Sequence, residues 1–149
     1  MIYPHAEPPA SGEALQVAPG VFWLRMPLPF ILNHINLWLL EDGEGWTIVD
    51  CGFATDEARA HWDTIFQHHL RGKPVKRVIV THFHPDHIGL CDWLCQRFGV
   101  LPWITQAEYL SVAINQGGIY MADNGVTCDD TAIFRDADGN IIRPPARVA

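Results

Sequence analysis

Positive charge is scarce in this chain of 149 residues, which has 10 lysines and arginines against 17 aspartates and glutamates. The formal net charge of −7 disfavours non-specific binding to nucleic acid or to an anionic membrane surface. No apolar run approaches the roughly 20 residues that span a bilayer, and the first residues lack the basic-then-apolar pattern of a secretory signal. We therefore expect a cytoplasmic protein that binds neither nucleic acid nor membrane.

Cysteine is also sparse, and its four positions do not form the spacing of a disulfide framework. Cys91 and Cys95 are four residues apart, which places them on one face of a predicted helix. We expect these two thiols, together with Cys51 and Cys128, to be free, and the buried ones to act as small apolar side chains. A second zinc site built from them is the less favoured alternative.

Histidine is absent after His87, although the chain contains eight histidines. Any ligand from the later part of the chain that completes a metal site begun by the earlier histidines would therefore have to be a carboxylate or a cysteine. The candidates there are Asp123, Cys128, Asp129, Asp130 and Asp136.

The most informative segment is Thr-His-Phe-His-Pro-Asp-His-Ile-Gly, residues 81–89. It follows the β-branched run 78–81, which predicts a buried strand. His82 and His84 are two residues apart and point to the same side of an extended chain, so both can bind one metal ion. Pro85 redirects the chain, and Asp86 and His87 can then bind a second metal ion. Imidazole nitrogen and carboxylate oxygen suit Zn²⁺, and two ions about 3.5–4 Å apart support hydrolysis without a protein nucleophile.

Alternating strand and helix patterns predict an α/β fold. An antiparallel meander precedes a helix from Thr55 to about Leu70, where Thr55 is a good N-cap. A second helix covers about 90–98 and ends at Gly99, and a third follows the capping box Thr105–Glu108. Residues 1–12 are predicted to form a flexible arm, 13–115 the folded part, and 116–149 a divergent tail. In that tail Ile133–Phe134 and Ile141–Ile142 are the predicted arms of a hairpin that turns at residues 136–140.

Two motifs resemble the metallo-β-lactamase superfamily. Residues 81–89 match its His-x-His-x-Asp-His signature, and residues 46–52 resemble its earlier strand that ends in Asp-x-Gly. The resemblance covers about residues 15–110. It implies half of an αββα sandwich, with a mixed sheet that carries helices on one face.

The resemblance also implies roles for individual residues. His82 and His84 would bind the first metal, and Asp86 and His87 the second, while Asp86 would also handle the catalytic proton. Asp50 would support the metal loop by hydrogen bonding. The implied cofactor is one or two Zn²⁺ ions, with manganese or iron as alternatives at a mixed His/Asp site.

The implied function is hydrolysis of a small-molecule thioester or other small ester, as in the glyoxalase II-like branches. The alternative is a truncated, catalytically inactive relative that acts at most as a weak metal-binding or interaction module, because the later histidine ligands of the family are missing. Half of a sandwich leaves one apolar sheet face open, which predicts a homodimer or a partner on that face. His34 and Asn36, at the start of a strand, are candidates for substrate contact, but we favour ordinary strand-end polar residues.

Overall fold

The computed structural model describes residue 5, residues 7–115, and the strand residues 127–128 and 134–135. Side chains are described as far as Val112. The chain divides into two compact units, Met1–Trp103 and Ile104–Ala149. The predicted divisions at residues 12 and 115 rest on sequence character alone and stay predictions.

The first unit is built on one six-stranded mixed sheet in the order β1-β2-β3-β4-β5-β6. The strands are β1 (Ala14–Ala18), β2 (Val21–Pro27), β3 (His34–Asp42), β4 (Gly45–Val49), β5 (Val75–Ile79) and β6 (Pro102–Trp103). The first four strands form antiparallel pairs, and β4–β5 and β5–β6 are parallel. The predicted α/β class with a mixed sheet is confirmed.

Helices follow the strands where the sequence signals place them. The first unit contains α1 (Asp56–His69), α2 (Pro85–Ile88) and α3 (Cys91–Phe98), and the second contains α4 (Gln106–Asn115). Thr55 Oγ1 accepts from the Ala58 amide at 3.1 Å, and Thr105 Oγ1 accepts from the Glu108 amide at 3.3 Å. Gly99 ends α3 with φ of 65°, a left-handed conformation that favours glycine. The short helix α2 was predicted only as a turn.

The second unit also contains a pair of short strands, β7 (Thr127–Cys128) and β8 (Phe134–Arg135), in antiparallel register with Cys128 opposite Phe134. The second arm of the predicted hairpin, Ile141–Ile142, lies outside the described residues. No described helix combines the length and the apolar content needed to cross a bilayer.

One face of the sheet is buried beneath α1 and α3, which contact β2 and β5. Its residues are directly opposed across the strands: Leu24 faces Leu37, and Leu39 faces Ile48, which faces Val78. All five side chains are fully buried. This packing fixes the position of the strand ends from which the polar motifs project.

The other face carries an apolar row in register across all six strands. The row is Leu15, Trp23, Trp38, Val49, Ile79 and Trp103. Five of these residues are half-buried, and Trp103 is 52% exposed. The alternation of side chains along the strands therefore produces one buried apolar face and one partly exposed apolar face.

Candidate metal centre

The polar motifs meet at one edge of the sheet. Because β4 and β5 are parallel, their carboxyl ends lie side by side, and the residues that follow them are neighbours. The Asp50 amide donates to the Ile79 carbonyl at 2.8 Å, and the Val80 amide donates to the Trp103 carbonyl at 2.9 Å. The two predicted motifs, separate in sequence, are thereby brought together.

Asp50 lies at the centre of this edge. Its φ of 63° is left-handed, which is uncommon for a residue with a side chain, and it is only 5% exposed. Its Oδ1 accepts from the Thr81 amide at 2.8 Å, and its Oδ2 accepts from the Thr81 hydroxyl at 2.8 Å. One buried carboxylate thus holds the first residue of the histidine loop.

The same carboxylate orients two histidines. His87 Nδ1 lies 2.9 Å from Asp50 Oδ2, and because a carboxylate only accepts, Nδ1 carries the proton. The Thr81 hydroxyl donates its hydrogen bond to Asp50, so the hydroxyl oxygen accepts a hydrogen bond from His82 Nδ1, 2.9 Å away. These partners assign the Nδ1–H tautomer to both rings and leave both Nε2 atoms free to bind a metal.

The three imidazoles of the loop form a cluster. The ring centroids of His82 and His87 are 3.8 Å apart, and those of His82 and His84 are 4.8 Å apart. Burial, followed by the neighbouring His87 and His84, lowers the pKa of His82 below its usual value. The neutral imidazole, which is the form that binds metal, is therefore favoured at this position.

Asp86 and His87 occupy the short helix α2, whose N-cap is His84 and whose first residue is Pro85. Proline suits that position because its missing amide has no helical partner there. Asp86 Oδ2 lies 3.7 Å from His87 Nε2. Both side chains are therefore held beside each other, as the sequence motif indicates.

Backbone contacts lock the two motifs together at Gly89. The Cys51 amide donates to the His87 carbonyl at 2.7 Å, and the Leu90 amide donates to the Gly52 carbonyl at 3.2 Å. A Cβ on Gly89 would lie 2.8 Å from the Gly52 carbonyl oxygen and 2.9 Å from the Ala54 nitrogen. Sequence reasoning gave no role to Gly89 or Thr81, although both lie inside the quoted segment, because their contacts are made to distant residues.

The donor set fits a borderline divalent cation in its chemistry, since it offers imidazole nitrogen, carboxylate oxygen and a carboxylate that orients the rings. Within the part of the chain that the structure describes, no three His, Cys, Asp or Glu side chains are arranged to hold one ion. The carboxylate and cysteine candidates at 123, 128–130 and 136 lie outside the described side chains.

The three cysteines whose side chains are described are separate from this donor set. Cys51, Cys91 and Cys95 are buried and free, as predicted, and the Sγ atoms of Cys91 and Cys95 are 3.9 Å apart. Hydrogen bonding to Cys51 and burial raise the pKa of the Cys91 thiol, and hydrogen bonding to Cys91 and burial raise that of Cys95. Both thiols therefore stay protonated and act as packing groups.

The chain is similar to several known proteins. A family model described as the metallo-beta-lactamase superfamily matches residues 31–134. A solved structure of a beta-lactamase domain protein from Burkholderia ambifaria is 52% identical, with a TM-score of 0.72. A probable metallo-hydrolase of Bacillus subtilis is 29% identical over 92 residues, and a linear primary-alkylsulfatase of a Pseudomonas species is 40% identical over 51 residues.

These relatives are longer than the chain. The matched region covers 81% of this chain but 38% of the Burkholderia protein. It covers 61% of this chain and 28% of the Bacillus relative, and 34% of this chain and 9% of the Pseudomonas relative. The matched region thus spans well under half the length of each of these three relatives.

Proposed function

This chain belongs to the metallo-β-lactamase superfamily, and from that premise we propose that it carries the first metal-binding motif of a zinc-dependent hydrolase. Members of this superfamily usually bind metal ions and include hydrolases. The observation that carries the proposal is the Asp50 carboxylate, which bonds both Thr81 and His87 and so orients the histidine loop.

We assign ligand roles to the donors of the loop. His82 and His84 would hold one ion, and Asp86 and His87 a second, with Asp50 as the supporting group. When bound, zinc lowers the pKa of water and polarises a carbonyl oxygen. Asp86, half-buried on the first turn of α2, would accept and release a proton at its carboxylate oxygen. Manganese and iron remain alternatives for this mixed donor set.

The proposed substrate is a small-molecule thioester or other small ester, following the likeness of the motifs to glyoxalase II-like branches. The matched Pseudomonas relative is named as a linear primary-alkylsulfatase, so alkyl sulfates belong in the same substrate panel.

The alternative function is an inactive, truncated relative that binds metal weakly. The incomplete ligand set among the described residues favours a test that measures metal before activity.

The test is the zinc content of the purified chain after dialysis against metal-free buffer, measured by plasma mass spectrometry. We expect about one or two zinc ions per chain, and hydrolysis of at least one ester class in the panel. His84→Ala should lose most of the zinc, because it removes a nitrogen ligand, while circular dichroism stays unchanged, because His84 is exposed.

His68→Ala is the matched control, since His68 is an exposed histidine of α1 outside the loop, and it should keep its zinc. Equal zinc in the His84 and His68 variants would refute the ligand assignment. Zinc retention without hydrolysis of any panel member would favour the weak metal-binding module.

We further propose that the chain pairs through the apolar row of its open sheet face. The row crosses all six strands, and apolar surface of this extent is unfavourable in water. Light scattering after size exclusion should give twice the mass of the chain, and Trp38→Glu should shift it to one chain. A single-chain mass for the unmodified protein would exclude the homodimer.

The cytoplasmic location stays a prediction, to be checked by cell fractionation.

A further inference from the structure

Arg25 on β2 carries a positive charge that no described carboxylate balances. Its Nη2 lies 2.7 Å from His34 Nε2, and its Nε is fully buried and has no hydrogen-bond partner among the side chains that the structure describes. Arg59, Arg77 and Arg97, by contrast, each form an ion pair with an aspartate. A partly buried guanidinium without a carboxylate partner is unfavourable unless an anion completes it.

The histidine beside Arg25 does not supply that anion. A guanidinium only donates, so His34 Nε2 accepts from Arg25 and the ring is neutral. The Nδ1 proton then goes to Asn33 Oδ1, 2.7 Å away. The hydrogen bonds from Arg25 to His34 and from His34 to Asn33 therefore fix the direction of the guanidinium, and no described residue compensates its charge. His34 thus has a defined hydrogen-bonding role beside Arg25. The sequence offered it as a candidate for substrate contact and favoured an ordinary strand-end polar residue.

Arg25 lies toward the edge of the sheet that carries the histidine loop. It pairs with Asn36 near the start of β3, and Pro27 pairs with His34. Because β3 is antiparallel to β4, β3 begins at the edge where β4 ends and Asp50 follows. Three strand spacings, about 14 Å, separate β2 from β5, which leads into the histidine loop.

An apolar loop lies between β2 and β3 at this edge. Phe30, Ile31 and Leu32 are exposed by 56%, 105% and 63%. Phe30 packs edge-on against Phe53 with ring centroids 5.2 Å apart, and Phe53 directly follows the segment that holds His87. The loop thus offers apolar contact area next to the Asp50 turn, on the same edge as the cation.

We propose that Arg25 is an oxyanion subsite, so that the substrate is an amphiphilic anion. Its carboxylate, sulfonate or phosphate-type group binds the guanidinium, its apolar chain contacts Phe30 and Leu32, and its ester reaches the histidine loop. This inference rests on the proposed hydrolase function for the ester. The anion subsite itself is a property of Arg25 and can be measured without turnover.

The first experiment measures binding of decanoate to the full chain by calorimetry, with zinc removed by a chelator so that no metal can hold the carboxylate. We expect Arg25→Gln to bind decanoate roughly tenfold more weakly, since a hydrogen bond to a charged group is lost. Binding of the neutral analogue 1-decanol should be the same in both proteins. Arg59→Gln, which removes a half-exposed arginine of α1, is the control and should not weaken decanoate binding.

Binding of decanesulfonate and decylphosphonate, measured in the same way, identifies which oxyanion the subsite prefers. Arg25→Lys should retain part of the affinity, because it keeps the charge and loses the forked donor. Equal decanoate affinity of the unmodified and Arg25→Gln chains would overturn the subsite, and so would equal affinity of the unmodified chain for decanoate and 1-decanol. Removing an unbalanced charge should not lower the melting temperature, so a folded Arg25→Gln protein is expected for this comparison.

A turnover experiment separates this inference from the hydrolase proposal. With zinc added, mono-p-nitrophenyl sebacate should show a KM about tenfold lower than p-nitrophenyl decanoate, and Arg25→Gln should abolish the difference. Hydrolysis of both esters with equal KM contradicts the Arg25 subsite and agrees with the hydrolase proposal. Arg25-dependent decanoate binding without hydrolysis of either ester, or of any other member of the substrate panel, supports the subsite and contradicts the hydrolase proposal.

Discussion

Asp50→Asn is expected to weaken zinc binding by about 10–100-fold while the fold survives, because Asp50 sets the orientation of two histidines. Asparagine keeps the size of the side chain and tolerates the left-handed φ of 63° at this position. Its amide nitrogen cannot accept the proton of His87 Nδ1, so that ring loses its fixed tautomer. Zinc affinity measured by competition with a chromophoric chelator gives the result.

Asp50→Ala should destabilise the fold more than Asp50→Asn. It removes the carboxylate that accepts from Thr81 and His87, and it leaves alanine at a positive φ without a side-chain hydrogen bond. Hydrogen bonds to a charged acceptor contribute about 1.5–3 kcal/mol each, and the exposed Thr81 recovers part of this from water. We expect the free energy of unfolding to fall by about 2–4 kcal/mol.

The matched control for both variants is Asp56→Asn, which alters an exposed aspartate in the first turn of α1. Its effect should stay within about 0.5 kcal/mol. Nitrogen-15 NMR of the histidine rings reports the tautomers directly. If both Asp50 variants bound zinc like the unmodified chain, the supporting role of Asp50 would be wrong.

Trp62→Ala is expected to cause the largest loss of stability, about 3–5 kcal/mol. Trp62 is fully buried, stacks on Phe66 with centroids 5.2 Å apart, and donates from Nε1 to the Cys51 carbonyl at 2.8 Å. That hydrogen bond ties α1 to the turn that contains Asp50. Urea unfolding followed by far-ultraviolet circular dichroism measures the change, since the signal does not depend on the tryptophan that is removed.

Two further variants divide the Trp62 effect. Trp62→Phe keeps an aromatic ring for stacking and loses the bond to Cys51, so it should cost about 1–2 kcal/mol. Gln67→Ala changes an exposed side chain of the same helix and should cost less than about 0.5 kcal/mol. A loss below about 1 kcal/mol for Trp62→Ala would show that α1 does not anchor the Asp50 turn.

The local elements were predictable because their signals are short-range. Thr55 caps α1 three residues from its bonding partner, and Gly99 ends α3 through its own backbone conformation. The spacing of His82, His84, Asp86 and His87 likewise identified the loop without any tertiary information. The helical form of residues 85–88 was missed because a single turn of helix is too short to show periodicity.

The sequence by itself therefore determined the α/β class, the order of strands and helices, and the donor set of the candidate metal centre. Only the tertiary structure decided that Asp50 reaches both Thr81 and His87, that Gly89 must lack a side chain, and that Arg25 has a neutral histidine as its partner. Each of these facts joins residues far apart in the chain. Such contacts depend on the register of the sheet, whereas capping, periodicity and ligand spacing are set by neighbours in sequence.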